Sequence, residues 1–112
     1  MLAKELISDI VSPVKTSTTG AMALNLMDDL KVAHLPIVNN RDFLGLISDE
    51  DIMGMDNQDE ALGSSALSLF SPFIFDYQHI YEVIELLTRL KLSIVPVLNE
   101  NKEYLGSITI QD

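Results

Sequence analysis

The chain has 112 residues, a formal net charge of −10, 47% hydrophobic and 21% charged residues, and no cysteine. That size suits one domain or two half-size lobes sharing a core, and the composition is that of a folded globular chain, not a disordered one. Only 7 scattered basic residues face 17 acidic ones, which excludes nucleic acid and anionic membrane surfaces as partners, and the missing thiols exclude a disulfide framework or thiolate metal site.

No apolar run approaches the ~18 residues of a membrane span. The N-terminus MLAKELISDIV lacks the apolar stretch of a signal peptide, so a cytoplasmic location is expected. Ala3, Leu6, Ile7, Ile10 and Val11 fall at i, i+3, i+4, i+7 and i+8, which predicts a first helix over residues 3–11. Pro13 disfavours a helical Ser12 and ends it. Val14 to Ser17 reads as a short extended piece, and Ser17-Thr18-Thr19 offers oxygens to cap a second helix. That helix should run to Leu30 or Lys31, with Ala23, Leu24, Met27 and Leu30 on its buried stripe. Leu35 to Val38 is a continuous apolar run of the kind buried on both faces. Asn39-Asn40-Arg41-Asp42 has turn chemistry, and Phe43 to Ile47 returns as the second strand of a hairpin. Gly45 inside it marks a bulge or a close backbone approach. Ser48 then caps a short helix beginning Asp49-Glu50-Asp51.

Asp56 to Ser68 is polar, with Gly63-Ser64-Ser65 near its centre, and is predicted to be a linker. The same order then repeats. Ser71-Pro72 echoes Ser12-Pro13, Phe73 to Phe75 is extended, and Asp76 is the candidate cap of a helix from about Gln78 to Lys91. Ile80, Val83, Ile84, Leu87 and Leu90 share a face of that helix, and strands Ile94 to Leu98 and Tyr104 to Ile108 follow. Pro36 matches Pro96 at an offset of 60; Gly45, Ser48 and Asp51 match Gly106, Thr109 and Asp112 at 61. Each copy reads β-α-β-β-α. The expected fold class is α+β: two repeats over residues 1–56 and 69–112, joined by a linker over 57–68 and packed pseudo-symmetrically into one module. A lone lobe of about 55 residues buries too little surface to stand comfortably by itself. The last helix of the second copy should begin at Asp112, so further sequence, and with it further domains, is expected beyond that residue.

The stretches HLPIV with GLISDEDI, and IVPVL with GSITIQD, resemble a tandem pair of CBS domains, also called a Bateman module, over essentially the whole chain. The resemblance implies a pseudo-twofold module whose two sheets meet and leave two clefts. Many family members bind adenosine-containing ligands there, among them AMP, ADP, ATP and S-adenosylmethionine. It further implies a regulatory, non-catalytic role toward another protein and pairing of modules, so a homodimer is expected. Carried over by position, Ser48 with Asp51 and Thr109 with Asp112 fall on the family's ribose and phosphate contacts. The aspartate accepts from the ribose hydroxyls and the hydroxyl residue donates toward a phosphate. The strand starts His34-Leu35-Pro36 and Ile94-Val95-Pro96 correspond to the region that holds adenine.

The residues themselves leave two readings open. Ser48-x-x-Asp51 is also what a helix needs for its own cap, and acids suit a first turn. Family members often place Lys or Arg beside the motif aspartate, where this chain has Glu50 and Gln111. AMP, adenosine or the cationic S-adenosylmethionine is therefore expected over ATP, and in the Thr109–Asp112 cleft if only one is used. A ligand-free pair serving as a dimerisation or docking scaffold is the alternative. No nucleophile–base set or metal-ligand spacing is visible: His34 and His79 stand 45 residues apart and no serine sits in an elbow sequence. Neither an enzyme nor a resident cofactor or metal is expected. Methionines at 22, 27, 53 and 55 suit core or interface packing. Phe70, Phe73, Phe75, Tyr77 and Tyr81 cluster at the entry to the second repeat, as core or as a dimer contact.

Overall fold

Two antiparallel hairpins, one per repeat, carry the fold. A computed structural model describes residues 1–8, 10–64 and 69–109. The elements run α1 (Gly20–Leu30), β1 (His34–Asn39), β2 (Asp42–Ser48), α2 (Asp49–Met53), β3 (Ile74–Phe75), α3 (Ile80–Leu90), β4 (Ile94–Leu98) and β5 (Tyr104–Thr109). The architecture is the expected α+β pair of repeats. β1 pairs with β2, β4 pairs with β5, and β3 lies parallel to β4. In the first repeat the β3 position is held by a single bridge from Val14 to Ile37. The apolar runs are buried on both faces, Leu35–Val38 in β1 and all of β4.

Both hairpins break register at the same place. Ile37 faces Gly45 and Val38 faces Phe43, so Leu44 is an extra residue; likewise Val97 faces Gly106, Leu98 faces Tyr104, and Leu105 is extra. Such bulges bend a strand and redirect a side chain, and here Leu44 and Leu105 are left exposed. Gly45 serves both of its expected purposes. Its φ is +152°, and a Cβ there would stand 2.8 Å from the Cβ of Leu69.

α1 is capped as expected: Thr19 Oγ1 accepts from the N–H of Met22 at 3.2 Å. Ala23 and Met27 are buried, with Leu24 and Leu30 packed at the edge of the core. α3 departs from expectation at its start. The cap is His79, not Asp76, and the helix begins at Ile80. His79 Nδ1 accepts from the N–H of Tyr81 at 3.3 Å, and the Glu82 carboxylate accepts from the N–H of His79 at 2.9 Å. The backbone of Asp76 is committed elsewhere, donating to the carbonyl of Leu98 and accepting from the N–H of Lys4.

The first predicted helix does not form. Only Ala3–Leu6 makes a single 3-10 turn, after which the chain pairs by Ser8 with Ser107. A helix of nine residues is marginal by itself, and this segment finds better partners on the second repeat. Ala3 donates to the carbonyl of Gln78 at 2.7 Å, Ser8 to that of Ser107 at 2.8 Å, and Ile80 donates back to Met1 at 2.9 Å. The other leader does the converse: Leu46 of β2 donates to the carbonyl of Phe70 at 2.7 Å, and Ser71 Oγ donates to that of Leu44 at 3.3 Å. Each repeat's leader therefore covers the outer strand of the other repeat.

The predicted linker is docked over its described part, 57–64. The N–H groups of Gly20 and Ala21, which open α1, donate to the carbonyls of Glu60 and Gln58, and helix starts need such outside acceptors. Leu62 is buried and donates to the carbonyl of Thr18 at 2.8 Å. At the lobe junction Ala33 donates to Ser93 Oγ at 3.3 Å, and Tyr104 donates to the carbonyl of Arg41 at 2.8 Å. The Arg41–Glu103 pair, at 3.7 Å, is exposed on the arginine side and adds little. One apolar cluster runs through both lobes and includes Leu35, Ile37 and Ile47 with Ile94, Val95 and Val97.

Candidate functional site

The hairpin register brings the motif residues together. His34 lies opposite Ser48 across β1 and β2, and Ile94 lies opposite Thr109 across β4 and β5. The strand start and the hydroxyl of each repeat are thus cross-strand neighbours, although 14 or 15 residues separate them in sequence. β1 and β4 touch across the lobe junction. Ala33, just before His34, donates to Ser93 of the other repeat and accepts from the N–H of Asp49 at 3.0 Å. Ser93 is a residue that sequence reasoning missed. Its offset of 60 from Ala33 is the signal that would have placed it at the pseudo-twofold junction.

Ser48 and Asp51 form a reciprocal cap on α2. Ser48 Oγ accepts from the N–H of Asp51 at 3.1 Å, and Asp51 Oδ2 accepts from the N–H of Ser48 at 3.2 Å. Both residues are half-buried. The Ser48 hydroxyl hydrogen and Asp51 Oδ1 have no further partner among the described residues, so the cap leaves a donor and an acceptor unused. Asp49 and Glu50 add two more carboxylates to the same turn. Thr109 is half-buried at the end of β5, and Asp112 lies outside the described residues.

The strand-start residues divide by side chain. Leu35, Pro36, Ile94, Val95 and Pro96 are fully buried in the core, so any contact from them is through backbone. His34 is only half-buried, and its Nδ1 is enclosed with no hydrogen-bond partner among the described residues. A hollow of 540 Å³ lies next door, lined by Leu24, Met27, Asp28, Lys31, Val32, Ala33, Asp49 and Met53. None of the residues expected from sequence lines it.

Away from these positions, burial pushes the Tyr104 hydroxyl above its ordinary pKa of 10.0, while its hydrogen bond to Ser107, at 2.7 Å, acts in the opposite direction. Among the described residues no group of three or more His, Asp or Glu is placed to hold a metal, and no helix is long and apolar enough to cross a membrane.

The family model described as CBS domain matches residues 3–56 and 71–112. Solved structures share the fold over nearly the whole chain. A CBS domain pair/ACT domain protein from Thermotoga maritima is 20% identical with a TM-score of 0.84, over 98% of this chain and 90% of that one. CBSX2, a CBS-pair protein from Arabidopsis thaliana, in complex with AMP is 21% identical with a TM-score of 0.78, over 96% and 89%. The cytosolic domain of the Mg2+ channel MgtE in complex with ATP is 16% identical with a TM-score of 0.76, over 96% of this chain and 45% of that one. A comparison with curated protein sequences found no match.

Proposed function

The chain belongs to the CBS domain family, as two repeats in tandem, and from that premise we propose a non-catalytic regulatory module that takes an adenosyl compound between its lobes. AMP, adenosine and S-adenosylmethionine are the preferred ligands. The observation that carries this reading is the register that sets His34 against Ser48 and Ile94 against Thr109, beside a junction where the repeats hydrogen-bond directly. Ser48, Asp51, Thr109 and Asp112 would supply the ribose and phosphate contacts, and the strand starts would hold the base. Asp49 and Glu50 disfavour a string of phosphates by like-charge repulsion. A ligand spanning both lobes favours the arrangement it binds better, and the shift is bounded by that difference in affinity. The regulated state is proposed to be a cytoplasmic homodimer. Exposed Met53, Tyr81 and Ile84 on the helices support a second copy as partner.

A ligand-free scaffold is the second reading, favoured by the Ser48–Asp51 pair already serving the cap of α2. Thermal unfolding in the presence of AMP, ADP, ATP, S-adenosylmethionine and NAD separates the two. Saturation at about a hundred times Kd stabilises by ~2.7 kcal/mol, several degrees for a chain of this size. No shift with any of them favours the scaffold; a larger shift with ATP than with AMP, without a divalent metal, overturns the ligand preference.

A further inference from the structure

The two repeats present different helix faces. In the first, α2 packs along α1, close enough that a Cβ on Gly20 would stand 3.0 Å from Ile52 Cγ2. Between the two helices lies the 540 Å³ hollow, with Leu24, Met27 and Met53 in its apolar lining and Asp28, Lys31 and Asp49 as its charges. In the second repeat, α3 has no comparable neighbour among the described residues. Tyr81, Ile84, Thr88 and Lys91 fall at i, i+3, i+7 and i+10, share one flank, and are all exposed. They stand sixty positions after Ala21, Leu24, Asp28 and Lys31, so the bare flank of α3 corresponds to the flank of α1 that borders the hollow. Tyr81 is 75% exposed and Ile84 51%. Tyr81 is nevertheless held, because its ring stacks on that of His79 with centroids 4.7 Å apart. An uncovered aromatic already fixed in place loses little freedom on docking.

We propose that two copies pair antiparallel, the α3 flank of each seated in the α1–α2 hollow of the other. The inference rests on the homodimer reading above and fixes which faces meet. Charge decides the direction. α1, its cap and α2 carry Asp28, Asp29, Asp49, Glu50 and Asp51 against Lys31 alone. α3 and its cap carry Glu82 and Glu85 against Arg89 and Lys91, and are neutral. A parallel pair would press the acidic face against its own copy, and like charges set across an interface repel. The antiparallel pair sets the acidic face against a neutral one that ends in Lys91, and brings Tyr81 and Ile84 to Leu24 and Met53. One twofold axis makes both contacts at once and closes the assembly.

The chain has no cysteine, so single introduced thiols report the pairing. Met53 and Ile84 are both exposed, and Met53→Cys and Ile84→Cys should fold as the wild type does. Oxidising an equimolar mixture of the two, one of them tagged for size, should give mainly the mixed disulfide dimer, and each variant alone should give little. Ile84→Glu should raise the dimer dissociation constant, measured by sedimentation, at least about thirtyfold, the scale of a central apolar anchor. As much disulfide dimer from each variant alone as from the mixture overturns the antiparallel arrangement and leaves the homodimer reading standing. So does a wild-type dimer that neither thiol links and that Ile84→Glu leaves intact. A wild type that sediments as a monomer at high concentration overturns both.

Discussion

Ser48 has two roles that substitution can separate. Replacing a serine cap by alanine costs about 1 kcal/mol, whereas glycine costs only a few tenths. Ser48→Ala should therefore lower the melting temperature by about 4 °C, and Ser48→Gly by much less. If the hydroxyl also contacts ligand, both variants lose AMP affinity alike; equal binding in both would leave Ser48 a cap and nothing more. Tyr104 gives a second residue-scale prediction. Its hydroxyl and that of Ser107 satisfy each other at 2.7 Å, and Ser107 is fully buried. Tyr104→Phe strands the serine, so it should cost about 1–3 kcal/mol at neutral pH. The double variant with Ser107→Ala should recover most of that loss, since removing both partners is nearly neutral. The pH dependence has a definite sign. Because the folded pKa of Tyr104 is raised above 10.0, its contribution is constant below that pH and is lost as pH rises through the higher folded value. Chemical denaturation of the wild type should show stability falling above pH ~10, with a shallower fall in Tyr104→Phe.

At the scale of elements, the exchanged leaders make the sharpest prediction. A Cβ on Gly106 would sit 2.5 Å from Ile7 Cγ2, so Gly106→Ala must shift the Ile7 side chain and loosen its seat on β5. Overpacking of this kind costs about 1–3 kcal/mol. Ile7→Ala makes room, and the double variant should be less destabilised than the two single losses added together, a coupling expected of residues in contact. Additive losses in a denaturant-unfolding cycle would show that the leader does not rest on β5. The same elements mark how far the sequence can be read. The hairpins are legible because Leu35–Val38 and Ile94–Leu98 are unbroken apolar runs bounded by turn residues, and because the offsets of Pro36 and Gly45 repeat in Pro96 and Gly106. The Ser48 cap is legible because serine followed by acids has one local meaning. Residues 3–11 mislead because their apolar spacing is helical, while their backbone is claimed by Gln78 and Ser107 far away in sequence, which no local pattern reports. Asp76 looks like the cap of α3 because histidine is an uncommon cap; what decides for His79 is Glu82, placed to close the reciprocal bond. At the site, the meeting of His34 with Ser48 follows from strand register. The empty hydrogen-bonding position of Nδ1 depends on side-chain packing, which sequence does not contain.

At the scale of the whole molecule the question is whether two lobes unfold as two or as one. Each repeat is too small to bury much surface by itself, and three kinds of contact bind them. The apolar cluster is continuous from β1 into β4, Ala33 hydrogen-bonds Ser93 across the junction, and each leader covers the outer strand of the opposite repeat. Separating the lobes would strip the leader from β5 and Phe70 from β2 at the same moment, so neither lobe can open without cost to the other. A single cooperative transition is therefore expected. Calorimetry gives this a number: at about 0.7 kcal/mol per residue near 60 °C, a chain of this length should absorb about 80 kcal/mol on unfolding. If the lobes melt together, the van't Hoff enthalpy equals that calorimetric value; if they melt independently, it drops to about half. The contacts place the chain in the first case. The Gly106→Ala variant sharpens the test, because loosening one leader should lower the melting temperature of the whole chain without splitting the transition. Two resolved transitions in that variant would mean that the shared core, not the exchanged leaders, is too weak to hold the module together.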